Sequence, residues 1–298
     1  MPAPLVFDRS LLRLRRQRAR GLGPVTFLID RVAEDLAERL SAVLRRFPLA
    51  VDLGSPTGAL YRVLAGSPAI ETIIAVNSSA YGLAGSGLKV AADEELLPFA
   101  DSALDLVVSG LALQSVNDLP GVLAQIRRAL KPDGLFLAAL LGGDTLVELR
   151  HSFAAAETEI EGGLSPRVAP FADVRDMGGL LQRAGFALPV TDVDRLTVRY
   201  ASPLALLHDL RRMGAGNSLT ERRRVPLRRA TLARLLEIYA TEFADADGRV
   251  RATFEILWLS GWSPHESQQK PLRPGSARTR LADALGTTEI SVDEKAGR

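Results

Sequence analysis

Short apolar runs alternate with helical patterns through the first half of the chain, and this alternation constrains the fold more than any other feature. Strands are predicted at residues 49–53, 70–76, 88–91, 104–111 and 135–141. Most of these strands are apolar on both faces, which is typical of a parallel sheet that is covered by helices on both sides. The sequence therefore predicts an α/β fold.

The flanking segments suggest three parts. Two helices are predicted at 8–20 and 24–47, the second ended by Pro48. The second half adds predicted helices and strands, at 145–159, 173–184, 189–200 and 250–258. The predicted organisation is an N-terminal helical arm (1–48), a main domain (49–262) with a helical insert at about 201–249, and a polar C-terminal tail (263–298).

Composition excludes several kinds of chemistry. The chain has 298 residues, no cysteine and only three histidines, which are far apart in sequence. Disulfides and thiolate catalysis are therefore excluded, and no metal site is expected. A net charge of +2 argues against a general nucleic-acid binder. No signal peptide or membrane-spanning run is recognisable, so we expect a cytoplasmic protein. The arginine-rich start resembles a transit peptide, but the acidic Asp8 within it favours a segment of the mature protein.

The first predicted strand runs into a glycine-containing turn. Residues 50–60 (AVDLGSPTGAL) place Gly54 and Gly58 between the strand and a helix. Glycines at such a turn let the backbone approach a ligand, and the helix N-terminus favours negative charge. Alone, the pattern is also typical of an ordinary tight turn.

Neighbouring segments favour the ligand-binding interpretation. Asp52-Leu53-Gly54, then Asn77-Ser78, then Asp93-Glu94, have a spacing that resembles class I S-adenosylmethionine (SAM) methyltransferases. Segments along nearly the whole chain are similar to the methyltransferase-like assembly factors of respiratory complex I, at 7–19 (FDRSLLRLRRQRA), 92–99 (ADEELLPF), 111–120 (LALQSVNDLP), 129–150, 157–171 and 265–277. The segment 111–120 also resembles the malonyl-carrier-protein methyltransferase of biotin synthesis.

The resemblance implies a Rossmann-like class I methyltransferase fold, with a seven-stranded, mostly parallel sheet and helices on both faces. It implies SAM as cofactor and a protein or small-molecule acceptor, for which an iron–sulfur subunit of complex I is one candidate. Relatives are implicated in hydroxylating an arginine of that subunit. Two alternatives stay open: a non-catalytic assembly chaperone that has lost SAM binding, and a methyltransferase that acts on a carrier-protein thioester.

The resemblance also assigns site residues, although it names no catalytic residue. Asp52, Gly54, Ser55 and Gly58 flank the methionine part of the cofactor. Asn77 and Ser78 face the ribose, Asp93 and the backbone NH of Glu94 face the adenine, and the segment from Leu111 lines the place of transfer. The candidate substrate residues are Gln114 and Asp144, of which Asp144 is also a suitable N-cap for a helix that begins at Thr145.

Three positions depart from the family pattern. Pro56 replaces the middle glycine of the turn, fixes φ and moves Ser55 out of the helical region. Asn77 replaces a carboxylate that accepts from both ribose hydroxyls, a loss of roughly 1–3 kcal/mol. Ser115 stands where relatives have tryptophan, which removes an aromatic wall. Together these changes favour weakened or lost SAM binding. Intact binding stays open, because an amide can also serve at the ribose and such turns vary.

Arginine runs provide a further candidate feature. They cluster at 13–20 and at 211–224, where they would meet an acidic surface. Because runs of charge usually belong to solvated helix faces, we expect these side chains to be solvated.

Overall fold

The computed structural model describes residues 5–78, 87–269 and 281–288. The chain forms two units, Met1–Pro264 and His265–Arg298. The larger unit contains eight helices within its described residues: α1 Arg9–Gly21, α2 Phe27–Ser41, α3 Ala59–Leu64, α4 Leu119–Ala129, α5 Val147–Glu161, α6 Val174–Arg183, α7 Pro203–Arg212 and α8 Arg229–Glu242. The described part of the smaller unit contains α9, Leu281–Leu285.

A seven-stranded sheet lies at the centre of the larger unit. Its strands follow the spatial order β3-β2-β1-β4-β5-β7-β6. β7 pairs antiparallel with β5 and β6, whereas the pairs among β1 to β5 are parallel. The strand bounds are β1 Phe47–Leu53, β2 Ile70–Asn77, β3 Leu88–Ala91, β4 Leu104–Gly110, β5 Leu130–Leu141, β6 Ala187–Tyr200 and β7 Val250–Trp262. The predicted fold class is confirmed.

The sheet separates two apolar cores, as expected for strands that are apolar on both faces. On one side α2, α3, α5, α7 and α8 pack against the sheet, and Val32, Leu36 and Leu60 are among the buried residues. On the other side α4 and α6 cover it, with Leu123, Ile126 and Leu181. In the described residues no helix combines the length and the apolar character needed to cross a bilayer.

Three local predictions were wrong. The second helix ends at Ser41 instead of Phe47, and Leu44 beyond its end is 98% exposed. Pro48 lies near the start of β1, at an exposed strand position that tolerates a missing NH. The strand predicted at 135–141 begins five residues earlier, because residues 130–134 belong to β5, within which Asp133 has a φ of 66°. The helix predicted from Thr145 begins at Val147, and its N-cap is Leu146 instead of Asp144.

The helical insert lies between β6 and β7, where α7 and α8 are found. Its arginines form intramolecular contacts that the sequence analysis did not predict. Arg222 lies 3.2 Å from the carboxylate of Asp8, Arg223 pairs with Glu161, and Arg212 donates to the carbonyl of Gly23. These contacts join the insert to α1, α5 and the segment before α2.

Candidate cofactor site

The candidate site lies at the carboxyl edge of the sheet, where β1 has β2 on one side and β4 on the other. From β2 the chain continues to β3 on one side of β1, and from β4 it continues to β5 on the other side. Ligands of open α/β sheets bind at a point where the strand order reverses in this way. The turn after β1, Ser78 directly after β2, and the segments after β3 and β4 lie at this edge. The predicted cofactor residues lie on these segments or, as for Asp52 and Asn77, at the ends of β1 and β2.

The turn after β1 is held in an unusual backbone conformation. Gly54 has a φ of 73° and donates to the carbonyl of Val76, at 2.7 Å. Ser55 is extended (φ −58°, ψ 133°), as expected before proline, and Pro56–Gly58 form a short 3₁₀ turn. Thr57 within it has a φ of 64°, a left-handed conformation that costs a non-glycine residue energy. The Oγ of Ser55 accepts from the NH of Gly110 at 2.8 Å, which ties the turn to β4.

Asp52 is a buried carboxylate at the end of β1. Burial raises its pKa to about 7, although Ser55 and the backbone of Tyr61 counter part of the rise. Its Oδ1 has no hydrogen-bond partner among the described residues. Because an unpaired buried acceptor is costly, this atom points to a ligand that donates hydrogen bonds.

Two further unpartnered atoms belong to the same segments. The Oγ1 of Thr57 and the Oε1 of Gln114 are buried without a partner in the described part of the chain. The Nε2 of Gln114 donates to the carbonyl of Leu111 at 2.9 Å, which leaves its oxygen as an acceptor.

The candidate ribose residues are turned toward other parts of the protein. Asn77 is buried, and its Nδ2 donates to the carbonyl of Ser55 at 3.4 Å. The hydroxyl of Ser78 donates to Oε1 of Glu94 at 3.3 Å. The side-chain NH₂ of Asn77 therefore supports the turn after β1.

The two acidic residues of the predicted adenine site are engaged by α1. Arg9 donates to Asp93 at 2.6 Å and also pairs with Glu94, and Arg13 lies 3.0 Å from the second oxygen of Asp93. Burial alone would lower the pKa of Arg9, but Glu94 and Asp93 raise it above its ordinary value. Although burial opposes it, the backbone NH of Glu95 and both arginines lower the pKa of Asp93.

The side chain of Glu94 fills space beside the first glycine of the turn. It is 1% exposed, and a Cβ built on Gly54 would lie 2.6 Å from its Cγ. The same Cβ would lie 3.0 Å from the Cβ of Ala112, in the segment after β4. Gly54 is therefore enclosed by two side chains.

Arg9 also contacts Ser115, in the segment after β4. Its carbonyl accepts from the Nη1 of Arg9 at 3.2 Å, and its hydroxyl donates to the carbonyl of Ala112 at 3.0 Å. The guanidinium of Arg9 thus contacts Ser115, the position at which the family resemblance implied a tryptophan.

Asp144, the second candidate substrate residue, lies at the end of β5. It pairs with Arg195 of β6, and its NH is 3.5 Å from Oε1 of Glu255 on β7. The Asp144–Arg195 contact is half exposed. The structure gives Asp144 an ion pair in place of the predicted helix cap.

Sequence reasoning missed the α1 arginines as site residues. Arg9 lies before the predicted solvated run, yet its side chain is only 12% exposed. Arg13 is 38% exposed and also contacts Asp93, so it is only partly solvated. Burial lowers the pKa of Arg16, and the positive charge of Arg9 lowers it further. Glu94 raises it only in part, so the pKa of Arg16 is below its ordinary value. The available signal was the spacing: residues 9, 13 and 16 share one face of a helix.

SAM joins an α-amino acid to an adenosyl group, so its fit is judged at both ends. At the amino-acid end, the acceptors of Asp52 and Gln114 suit an ammonium group. At the adenosyl end, Asp93 is engaged by α1 and Glu94 fills the space beside Gly54. The residues in this arrangement do not fit the whole cofactor. Two shallow cavities in the described part lie elsewhere, on the outer face of α1 and beside Lys131.

Comparisons with known proteins define the class. Residues 51–138 match the family model of a methyltransferase domain. Among solved structures, the YcgJ protein of Bacillus subtilis is similar with a TM-score of 0.53 at 14% identity, covering 78% of this chain and 99% of that one. The [4+2]-cyclase SpnF has a TM-score of 0.50 at 16% identity, covering 88% and 97%. The fold is that of class I methyltransferases, and SpnF illustrates that it hosts other chemistry.

Curated relatives identify the family. The mitochondrial arginine-hydroxylase NDUFAF5 of Danio rerio is 38% identical over 298 residues, which cover 97% of this chain and 92% of the relative. The Homo sapiens protein of the same name is 41% identical over 93% of this chain and 83% of the relative. The malonyl-[acyl-carrier protein] O-methyltransferase of Gallionella capsiferriformans is 35% identical, covering 87% and 92%. The chain belongs to the NDUFAF5 family of class I methyltransferase-like proteins, as its motifs predicted.

Proposed function

We propose that this chain is a respiratory complex I assembly factor of the NDUFAF5 type, which acts on a protein acceptor. The observation that carries the proposal is the identity of 38% over almost the full length of both chains. The relatives are arginine hydroxylases by name, so the proposed acceptor is an arginine-containing protein. An iron–sulfur subunit of complex I is the candidate that the sequence resemblance named.

We further propose that SAM binding by this chain is weak or lost. The support is local to the site: Pro56 constrains the turn, Asn77 directs its donor to Ser55, and Glu94 occupies space beside Gly54. Without bound SAM the chain works by binding its partner, as an assembly chaperone, and we call this the chaperone mode. In the alternative, catalytic mode the chain carries out SAM-dependent transfer to the acceptor, which requires the site to rearrange before the cofactor enters.

A carrier-protein methyltransferase is a further alternative. Its support is the relationship to malonyl-[acyl-carrier protein] O-methyltransferases, at 35% identity over 87% of this chain. Incubation with SAM and a malonyl carrier protein tests it directly. Formation of the methyl ester would favour this alternative over the assembly-factor proposal, and an unmodified malonyl group would exclude it.

Complementation tests the proposed function. The chain, preceded by a mitochondrial leader, is expressed in human cells that lack NDUFAF5, and assembled complex I is measured by native electrophoresis. The proposal expects complex I to be restored, and a malonyl-[acyl-carrier protein] O-methyltransferase with the same leader serves as a fold-matched control. Equal failure of both proteins would refute the proposal. Mass spectrometry of the iron–sulfur subunit then reports whether an arginine is modified.

Calorimetry with SAM and S-adenosylhomocysteine separates the two modes. Micromolar affinity would support a catalytic mode, and no heat at millimolar ligand would support the chaperone mode. The cytoplasmic location is also a proposal, since the vertebrate relatives are mitochondrial by name. Fractionation of the source cells tests it. The division into arm, domain and tail likewise stays a prediction.

A further inference from the structure

Helix α1 directs one face at the candidate site. Arg9 and Arg13 contact Asp93, while Leu12 and Ala19 on the buried side of the helix are 7% and 4% exposed. The helix is amphipathic in an uncommon way, because its buried face carries arginine as well as apolar residues. Those arginines meet the acidic residues of the site instead of solvent.

We propose that α1 is a self-inhibitory lid and that the Arg9–Glu94 pair is the resident occupant of the adenosyl end of the site. A ligand that needs the carboxylate of Asp93 has to compete with both Arg9 and Arg13. A ligand that packs against the backbone of Gly54 has to displace the side chain of Glu94. Helix α1 therefore controls access to Asp93 directly, and access to Gly54 through the Arg9–Glu94 pair.

The lid is attached on its other side to the insert. The NH of Asp8 donates to the carbonyl of Ser218 at 2.8 Å, and the NH of Thr220 donates to the carbonyl of Val6 at 2.9 Å. Phe7 and Leu219 lie opposite each other between these bonds, as an isolated antiparallel bridge. These contacts keep the start of α1 attached when the ion pair at Arg9 opens.

The closed arrangement leaves polar groups unsatisfied, which favours opening. Oδ1 of Asp52 and Oε1 of Gln114 are buried without partners among the described residues. An entering ligand with an ammonium group would donate hydrogen bonds to both oxygens. The closed arrangement therefore leaves hydrogen bonds for a ligand that enters when the lid opens.

This inference does not depend on which protein the chain acts on. It concerns only the access of an adenosyl ligand, so complementation and ligand binding report on separate claims. The probe is S-adenosylhomocysteine, measured by calorimetry on the full chain.

The decisive variant is Glu94→Ala, which removes both the ion pair with Arg9 and the volume beside Gly54. It is expected to bind S-adenosylhomocysteine at least about tenfold more tightly than the parent chain. Glu94→Gln keeps the volume and weakens only the ion pair, so its gain is expected to be smaller. Arg18→Ala, a change on the exposed side of α1, is the control and is expected to leave the affinity unchanged.

Hydrogen exchange gives a readout that needs no ligand. In Glu94→Ala, the amides of residues 9–21 are expected to exchange faster than in the parent chain, while those of β1 and β4 keep their protection. The proposal is overturned if Glu94→Ala binds no more tightly than the parent, including the case in which neither binds, or if α1 stays equally protected. Equal gains for Glu94→Ala and Glu94→Gln would overturn the role assigned to the volume beside Gly54.

Discussion

Gly214, which follows α7, packs directly against the backbone of Arg16 in α1. A Cβ built on Gly214 would lie 2.9 Å from the Cα of Arg16 and 3.2 Å from its Cγ. Gly214 also has a φ of 73°, which favours glycine. The insert therefore determines how closely α1 approaches it.

The first prediction concerns this contact. Gly214→Ala adds a methyl group that meets backbone atoms of α1, so either α1 or the segment after α7 has to move. We expect a loss of stability of more than about 2 kcal/mol, because the left-handed conformation alone costs about 1–2 kcal/mol. The measurement is urea unfolding combined with hydrogen exchange of residues 9–21.

Gly248→Ala provides a matched control for that variant. Gly248 has a similar φ of 79°, and no atom would lie within 4 Å of an added Cβ. Its loss of stability reports the conformational cost alone, and α1 exchange is expected to stay unchanged. If both variants lose the same stability and leave α1 protected, Gly214 does not restrain the helix.

The sequence predicted the fold well because the signals for it are local and redundant. Apolar strands alternate with helices, and β3 was predicted with its observed bounds, Leu88–Ala91. The errors lie where local rules compete. Pro48 is typical of a helix end, yet it occupies an exposed position in β1, because pairing of Phe47 with Ile70 extends the strand toward its N-terminus.

The candidate site was predicted only in part, for a different reason. Motif spacing located the turn at Gly54 and the acids at Asp93 and Glu94, since these residues follow strands along the chain. It could not show that Arg9, more than 80 residues away in sequence, pairs with both acids. A run of arginines is equally compatible with solvent and with a buried acidic partner, and tertiary packing decides between them.

The second prediction concerns pH and Asp52. Its pKa in the folded protein, about 7, is above the unfolded value of 3.8, so the unfolded chain releases its proton first. The contribution to stability is complete below pH 3.8 and is lost as the pH rises through 7, by about 4 kcal/mol at most. Asp52→Asn removes this dependence and is expected to gain stability relative to the parent between pH 5 and pH 8.

Chemical denaturation of both proteins across that range checks the sign. The difference in unfolding free energy, variant minus parent, should grow with pH and level off above about pH 8. A difference that is constant with pH would mean that Asp52 is already ionised throughout. A difference that shrinks with pH in this range would contradict the raised pKa of Asp52.

The third prediction concerns Thr57, which has a φ of 64° and a buried hydroxyl without a partner among the described residues. Thr57→Gly and Thr57→Ala both remove the hydroxyl, but only glycine adopts the left-handed conformation without strain. We expect the glycine variant to be more stable than the alanine variant by about 1 kcal/mol. Urea unfolding measures the difference, and an alanine variant of equal or greater stability would show that the turn relaxes to another conformation.

The fourth prediction concerns the two substitutions that alter the turn and the ribose position. Pro56→Gly restores freedom to the turn, and Asn77→Asp restores a carboxylate that accepts from both ribose hydroxyls. Regaining hydrogen bonds to a charged group is worth roughly 1–3 kcal/mol, which corresponds to about 5- to 150-fold in affinity. We expect the double variant to bind S-adenosylhomocysteine more tightly than the parent chain, as measured by calorimetry.

Combination with Glu94→Ala tests whether the obstacles are independent. Pro56 and Asn77 act on the turn and the ribose position, whereas Glu94 acts through space beside Gly54 and through Arg9. If the two obstacles are independent, the fold-gains multiply, so the double variant gains the same factor with or without Glu94→Ala. A triple variant that binds no more tightly than the double variant would show that Glu94 is no obstacle to the ligand. No binding in the triple variant would show that the site has lost more than these residues account for.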